Sequence, residues 1–169
     1  MPQPHEARQV LDEKTGTTVT AMGSALEFYS SRPDVGLQAA SFAHLGAMEV
    51  NRMGERRLLL WLSVLAGGAP EQQNAAEIPQ GLTIVAGSSE LQPPFVSNSP
   101  REVGLSVTPF RRPAEWANDA YFDVTVDQLR ELQTAQPLAL VVTVSDGRSR
   151  RYELWKPERE SLARFVEKL

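Results

Sequence analysis

The stretch MEVNRMGERRLLLWLSVL, from Met48 to Leu65, decides the fold. In its first half apolar and polar residues alternate, and after the glycine at position 54 a block that is apolar except for Ser63 begins at Leu58. A glycine between two β-patterned runs is typical of a hairpin. We therefore predict a strand over His44–Arg52, a tight turn, and a second strand over Arg56–Leu65.

The apolar block could be a membrane segment, a docking patch, a buried helix or an interior strand. It covers residues 58–66, whereas a helix needs ~20 apolar residues to cross a bilayer, so its length excludes a membrane span. Leucine forms helices well, which leaves a buried helix of about two turns as the alternative. Trp61, Val64 and the short length favour a strand. Because both faces of this strand are apolar, we expect it at the centre of a sheet with covering layers on both sides.

A second hairpin is predicted in the last third of the chain. The segment Leu138–Val144 is almost entirely apolar and rich in β-branched residues. Asp146-Gly147 is a strong signal for a two-residue turn, and the alternating residues Arg150–Trp155 would form the returning strand. We therefore expect one apolar central strand in each half of the chain.

Two helices are predicted beside these hairpins. Thr125 and Gln128 have the spacing of a capping box, which predicts a short helix near 127–135. Pro157 suits the first turn of a helix, and an apolar stripe after it predicts an amphipathic helix near 157–169 that needs a sheet to lie on. The stripe consists of Leu162, Phe165, Val166 and Leu169.

Shorter strands complete the expected fold, with loops between them. The predicted strands are Thr17–Thr20, Leu26–Tyr29, Gly81–Val85, Gly104–Thr108 and Ala120–Val126. Loops are predicted at Gly67–Gln80 and Pro109–Asp119, and a short helical turn or a loop at Val35–Ala43. The fold class is thus mainly β, an antiparallel β-sandwich or strongly curved sheet with helices at its edge. We expect one domain over residues 10–169, preceded by a flexible segment at residues 1–9.

Composition excludes several classes of function. The 169 residues carry a formal net charge of -4, whereas proteins that bind nucleic acid through its phosphates usually carry a basic excess, so we predict no nucleic-acid partner. The chain has no cysteine, which removes thiol catalysis, disulfides and cysteine-bound metal. Its N-terminal stretch MPQPHEAR is polar, so we expect neither a signal peptide nor a transmembrane helix in the chain.

No motif for catalysis or cofactor binding stands out. Of the two histidines, His5 lies in the N-terminal segment and His44 at the start of a strand, and no G-x-S-x-G or H-E-x-x-H motif accompanies them. We therefore predict no catalytic residues, no metal and no cofactor. Carboxylates such as Asp119 and Asp123 leave one alternative, which is a pair on facing strands that would serve a glycosidase or another hydrolase.

The candidate contact residues lie in the loop RRPAEWAND, residues 111–119. Trp116 is the tryptophan whose burial the strand pattern requires least, and Arg111 and Arg112 stand near it. Aromatic and arginine side chains are frequent anchors of interfaces, so these three residues are predicted to contact a ligand or partner. The alternative is that Trp116 folds back onto the sheet.

Three segments of the chain, Val10–Thr20, Leu45–Leu62 and Tyr121–Val166, carry a resemblance to known sequences. Their most distinctive pieces are EVNRMGERR and YELW. In these pieces the chain resembles a family of uncharacterised exported proteobacterial proteins, many of them described as predicted lipoproteins. The resemblance implies a cell-envelope or periplasmic location and a lipid anchor upstream of Met1. It implies no activity and no functional residues.

The expected function is that of a non-catalytic binding or structural protein of the cell envelope, whose partner is an unknown protein or envelope component. The alternative is a small carboxylate-dependent hydrolase or sugar-processing enzyme. A third interpretation is an inhibitor or immunity-type protein that uses the loops Gly67–Gln80 and Pro93–Pro113. A dimer formed through an edge strand also stays open.

Overall fold

The computed structural model describes residues 4–30, 41–65 and 78–169. In this part of the chain there are eleven strands, two α-helices and a 3₁₀-helix at Pro100–Val103. The strands and α-helices, in chain order, are β1 (Arg8–Asp12), β2 (Thr17–Ala21), β3 (Leu26–Ser30), β4 (Ser41–Arg52), β5 (Glu55–Leu65), β6 (Pro79–Ala86), β7 (Ser89–Leu91), β8 (Phe95–Ser97), β9 (Asn118–Asp123), α1 (Val126–Thr134), β10 (Leu138–Val144), β11 (Ser149–Leu154) and α2 (Glu160–Glu167).

All of these strands belong to one strongly curled antiparallel sheet. Its order is β7-β6-β10-β11-β3-β4-β5-β9-β8. The long strand β4 pairs along one edge with two strands in succession, β3 against Ser41–Leu45 and β2 against Met48–Arg52. β1 pairs with β2 on its far side. The mainly β prediction is confirmed, in the form of a strongly curved sheet with two short helices.

The stretch that decides the fold forms the hairpin β4–β5, as predicted. β5 lies between β4 and β9, and its residues from Leu59 to Val64 are all buried. Successive side chains of a strand point to opposite faces, so Leu60 and Leu62 lie on one face and Trp61 and Ser63 on the other. Both faces are covered, which explains why the strand is apolar on both faces from Leu58 to Leu62.

The face that carries Leu60 and Leu62 forms the larger part of the core. Strand pairing continues it across β4, β3, β11, β10 and β6, because opposite residues of an antiparallel pair share a face. The matched residues along this path are Leu45, Leu26, Phe28, Leu154, Tyr152, Leu140 and Ile84. The helices add the buried side chains of Leu129, Leu132, Leu162 and Phe165 to the same core.

The opposite face of β5 is covered by residues 98–117, which we call the covering loop. Phe110 of this loop stacks on Trp61, with ring centroids 4.8 Å apart. Gly46 stands opposite Trp61 in β4, and a Cβ atom there would lie 2.5 Å from the Phe110 ring. Val103 and Leu105 of the loop are also buried. The covering loop is therefore the second layer that the apolar pattern of β5 requires.

The predicted strand Gly104–Thr108 is wrong, because the backbone donors of this segment have other partners. Gly104 adopts a left-handed conformation with φ of 86° and caps the 3₁₀-helix. The Leu105 N–H donates to the Pro100 carbonyl, and the Ser106 N–H donates to the Asp12 carboxylate. In a strand Leu105 and Val107 would share a face, but Leu105 enters the core whereas Val107 is 67% exposed.

The helix near 127–135 is confirmed as α1, and the capping box of Thr125 and Gln128 is formed in both directions. The C-terminal helix near 157–169 is also confirmed, as α2; it begins at Glu160, so Pro157 precedes the helix and does not lie in its first turn. Arg159 precedes it as the N-cap residue, and its guanidinium donates to the Leu132 carbonyl at 2.7 Å. This hydrogen bond joins the residue before α2 to the last turn of α1.

Three predicted loops are partly strand, and one of them is Pro109–Asp119, whose last two residues open β9. Ser41–Ala43 opens β4, so the turn or loop predicted at Val35–Ala43 is wrong for these residues, and the remainder of that prediction lies outside the described residues. Pro79 and Gln80 open β6, and the part of the predicted loop at residues 67–77 also lies outside the described chain. Pro79 is tolerated because it is the first residue of its strand, where the missing N–H matters least.

Candidate functional site

A polar cleft lies where the covering loop meets β9. Its volume is about 390 Å³, and small-molecule sites span roughly 300–1,000 Å³. The polar side chains of its lining that matter below are Asn98, Thr108, Arg112, Asp119 and Tyr121. The covering loop supplies three of these side chains and β9 supplies two. The shape of the cleft therefore depends on how the loop packs against the sheet.

Asp119 organises one wall of the cleft. Its Oδ1 accepts a hydrogen bond from the Ser63 hydroxyl at 2.7 Å, and its Oδ2 accepts one from Trp61 Nε1 at 3.1 Å. Arg112 Nε lies 3.4 Å from Oδ1, and the Asp119 side chain is 12% exposed. The register of β5 and β9 places Asp119 opposite Ser63, so the first of these bonds follows from strand pairing. The carboxylate thus accepts two hydrogen bonds, and Arg112 balances its charge.

Asn98 fixes the rim of the cleft. Its Nδ2 donates to the Pro79 carbonyl at 2.8 Å and to the Asp119 carbonyl at 2.9 Å. Pro79 begins β6 and Asp119 lies in β9, which are far apart in the sheet order. One amide group therefore joins two strands that the curl of the sheet brings together.

Tyr121 carries the polar atom whose partner is missing. The residue is fully buried, and within the described ranges its hydroxyl has no hydrogen-bond partner. Burial raises the pKa of Tyr121 to about 12; the neighbouring Thr108 hydroxyl opposes this rise, although the two oxygens do not meet hydrogen-bond geometry. Leaving a buried hydroxyl unpaired costs about 1–3 kcal/mol. Tyr121 thus places a buried hydroxyl without a hydrogen-bond partner in the wall of the cleft.

The structure brings one of the three predicted contact residues into the cleft. Arg112 lines it and also donates to the Ala117 carbonyl. Arg111 is exposed, Trp116 is 58% exposed, and neither belongs to the lining. The contact role of all three residues stays a prediction. Tyr121 was missed, because the alternation of β9 marks it as a core residue and carries no sign that its hydroxyl lacks a partner.

A second, smaller cleft of about 180 Å³ lies where the N-terminal segment meets α2. The buried Ser161 hydroxyl lies 2.6 Å from the Ser24 hydroxyl and 3.2 Å from His5 Nδ1. Glu27 and Glu160 line this cleft, and each is paired with a cation, Lys156 at 3.1 Å and Arg164 at 3.5 Å respectively. The contact places His5 against α2, while the predicted flexibility of residues 1–9 stays a prediction.

Two general features of the site regions bear on function. Among the described residues, no three histidine, aspartate or glutamate side chains come together as a metal site would require. Neither α1 nor α2 has the length and hydrophobicity needed to cross a bilayer, and the described ranges hold no other α-helix.

No protein-family model, no curated protein and no solved structure matches this chain. The function is therefore inferred from the geometry of the clefts and from the residues of the chain itself.

Proposed function

We propose that this protein is a non-catalytic binding module that holds a small, uncharged polar ligand in the cleft between the covering loop and β9. The observation that carries this proposal is the buried, unpartnered hydroxyl of Tyr121 in the wall of the cleft. A phenolic hydroxyl both donates and accepts hydrogen bonds. The group that satisfies it best is a hydroxyl or an amide of the ligand.

The charges of the cleft favour an uncharged ligand. Arg112 and Asp119 lie 3.4 Å apart and balance each other. An anion would compete with Asp119 for the guanidinium, and a cation would compete with Arg112 for a carboxylate that already accepts two hydrogen bonds. A sugar or a short amide has no net charge, so it competes neither for the guanidinium nor for the carboxylate. Its hydroxyl or amide groups can still form hydrogen bonds in the cleft.

The hydrolase alternative receives less support from the same geometry. A carboxylate-dependent glycosidase needs two carboxyl groups about 5–9.5 Å apart across the scissile bond. Of the described residues, Asp119 is the one carboxylate in the lining of the larger cleft. The smaller cleft is lined by Glu27, Glu158 and Glu160, of which Glu27 and Glu160 are each paired with a cation. Binding without chemistry is therefore the function that we propose.

We further propose that the module works in the bacterial cell envelope, facing the periplasm and attached by a lipid anchor upstream of Met1. The support for this part is the sequence resemblance carried by EVNRMGERR and YELW. Fractionation of the source cells tests it directly, with the protein expected in the envelope fraction. Recovery from the cytoplasm alone would overturn the location and leave the binding proposal intact.

Binding is tested by calorimetry with glucose and N-acetylglucosamine as uncharged probes, and with acetate and methylammonium as charged comparators. Tyr121→Phe removes one oxygen from the cleft, and we expect it to weaken binding of the uncharged probes by about tenfold. Tyr152→Phe makes the same change at a buried tyrosine on the other face of the sheet and serves as the matched control. Equal affinity of the wild-type protein and Tyr121→Phe would reject the cleft as the site. Preferential binding of a charged comparator would reject the ligand class.

A further inference from the structure

β1 is an edge strand with exposed apolar side chains. It pairs with β2 along one side over five residue pairs, and within the described part of the chain no strand pairs with its other side. Val10 is 50% exposed and Leu11 is 62% exposed. Edge strands of monomeric proteins usually carry a lysine, a proline or a bulge that hinders pairing with another chain. The sequence RQVLD has none of these, and its register with β2 is unbroken.

The other edges of the sheet are less suited to pairing. β7 and β8 have three residues each, which is too short to hold another strand well. β8 follows Pro93-Pro94, and the curl of the sheet brings it close to β6. Of the edges that the structure describes, β1 is therefore the one that offers a regular strand.

The sequence of β1 is complementary to itself. In a two-fold symmetric antiparallel pair, opposite residues must share a face of the sheet, so the axis passes through a residue. With the axis at Val10, this residue opposes its own copy, and Arg8 opposes Asp12 of the partner subunit. Opposite charges on facing strands stabilise the pair, whereas an axis at Arg8 or at Asp12 would place like charges opposite each other.

Contacts within one subunit hold the side chains of this edge in position before another strand pairs with it. The Asp12 carboxylate accepts from the Ser106 N–H at 2.7 Å and from the Ser106 hydroxyl at 2.9 Å, so its position is fixed before association. Val10 shares a face with Val19, its partner in β2. Both line an apolar groove of about 440 Å³ together with the exposed Val107. A second strand would extend this apolar surface and remove part of it from water.

We propose that the partner of this edge is a second copy of the chain, and that two copies join β1 to β1 about a two-fold axis at Val10. The joined sheets share one continuous set of backbone hydrogen bonds, flanked by an Arg8–Asp12 ion pair on each side. The groove beside β1 adjoins the ligand cleft, because Ser106 and Val107 line both, but no residue of β1 lines the cleft and Tyr121 does not line the groove. The variants at Arg8 and Val10 therefore test the dimer without changing the proposed ligand contact at Tyr121.

Sedimentation velocity over a range of protein concentrations tests the association. We expect the wild-type protein to dimerise, and Arg8→Asp to weaken dimerisation by about tenfold because it places carboxylates opposite each other. Arg8→Lys retains the charge and should retain the dimer. Val10→Lys places two ammonium groups at the axis and should give a monomer. Met53→Lys adds the same charge at a site that is 96% exposed, the tip of the β4–β5 hairpin, and should leave the dimer intact.

Cysteine cross-linking tests the position of the axis. The chain has no cysteine, so Val10→Cys introduces a single thiol, which would face its own copy with Cα atoms about 4.5–5.5 Å apart. We expect mild oxidation to link two Val10→Cys chains much faster than two Met53→Cys chains. A wild-type protein that stays monomeric at every concentration would overturn the proposal, and so would a dimer that survives Val10→Lys with no cross-link at Val10→Cys. Circular dichroism of each variant shows whether a change in association reflects unfolding.

Discussion

Phe110 lies flat on the indole of Trp61, with ring centroids 4.8 Å apart and planes at 12°. This stacking contact holds the covering loop against β5. The same indole donates its N–H to Asp119, which forms the wall of the larger cleft. One side chain of β5 therefore positions both the loop and the carboxylate, and the cleft depends on the stack.

Gly46→Ala tests the stack. The added methyl group would lie 2.5 Å from the Phe110 ring, so the ring or the loop must shift, and we expect a loss of about 1–3 kcal/mol in the free energy of unfolding. Urea denaturation measures the loss. In a Phe110→Ala background the methyl group has space, and most of the cost should vanish. The same cost in both backgrounds would show that the collision is not the cause.

Tyr121 should ionise at unusually high pH. Burial raises its pKa to about 12, whereas a tyrosine in the unfolded chain has a pKa of about 10. The folded protein therefore holds this proton more tightly, which contributes roughly 3 kcal/mol of stability below pH 10. That contribution is lost as the pH rises from about 10 to about 12. An ultraviolet titration should show a phenolate step near pH 12 that is absent in Tyr121→Phe; loss of a step near pH 10 instead would contradict the burial of this hydroxyl.

His44 should make the fold sensitive to acid. Burial lowers its pKa, Glu27 opposes this effect, and Lys156 adds to it. The unfolded chain therefore binds a proton at His44 more readily than the folded protein does, so stability is lost as the pH falls below about 6.5. We expect His44→Gln to lose less stability than the wild-type protein between about pH 7.5 and about pH 5.5. Parallel losses in urea denaturation at the two pH values would count against this account.

Thr125 should stabilise the fold through the start of α1. Its hydroxyl accepts from the Gln128 N–H at 3.1 Å, and the Gln128 side chain accepts from the Thr125 N–H at 3.1 Å. Thr125→Ala removes the hydroxyl and leaves the Gln128 N–H without this acceptor, while the backbone N–H of residue 125 can still donate to the Gln128 side chain, and we expect a loss of about 1 kcal/mol. Thr134→Ala, at the last residue of α1, is the matched control and should change little. Equal effects of the two substitutions on the melting temperature would contradict the capping role.

The β4–β5 hairpin could be predicted because its determinants are local. A glycine at a turn, an alternating run before it and an apolar run after it require no knowledge of the rest of the chain. The capping box at Thr125 and the turn at Asp146-Gly147 are equally local. Gly147 adopts the positive φ that such a turn needs.

The cleft could not be predicted in the same way, because distant residues assemble it. Ser106 belongs to an alternating pattern that is typical of a strand, yet its N–H donates to the carboxylate of Asp12, which is remote in sequence. Arg112 lies in the cleft two residues after Phe110, which stacks on Trp61 of a distant strand. The sequence pattern predicts that Tyr121 is buried. Whether its hydroxyl finds a hydrogen-bond partner depends on where the covering loop lies.

The central claim is that the ligand site is the cleft beside Tyr121. A nuclear magnetic resonance titration of the isotope-labelled protein with N-acetylglucosamine locates the site most directly. We predict saturable shifts at the backbone amides of Thr108, Asn118 and Tyr121, with the amides of Glu27 and Ser161 in the smaller cleft unchanged. Shifts confined to the smaller cleft, or no saturable shift at any amide of the larger cleft, would contradict the claim.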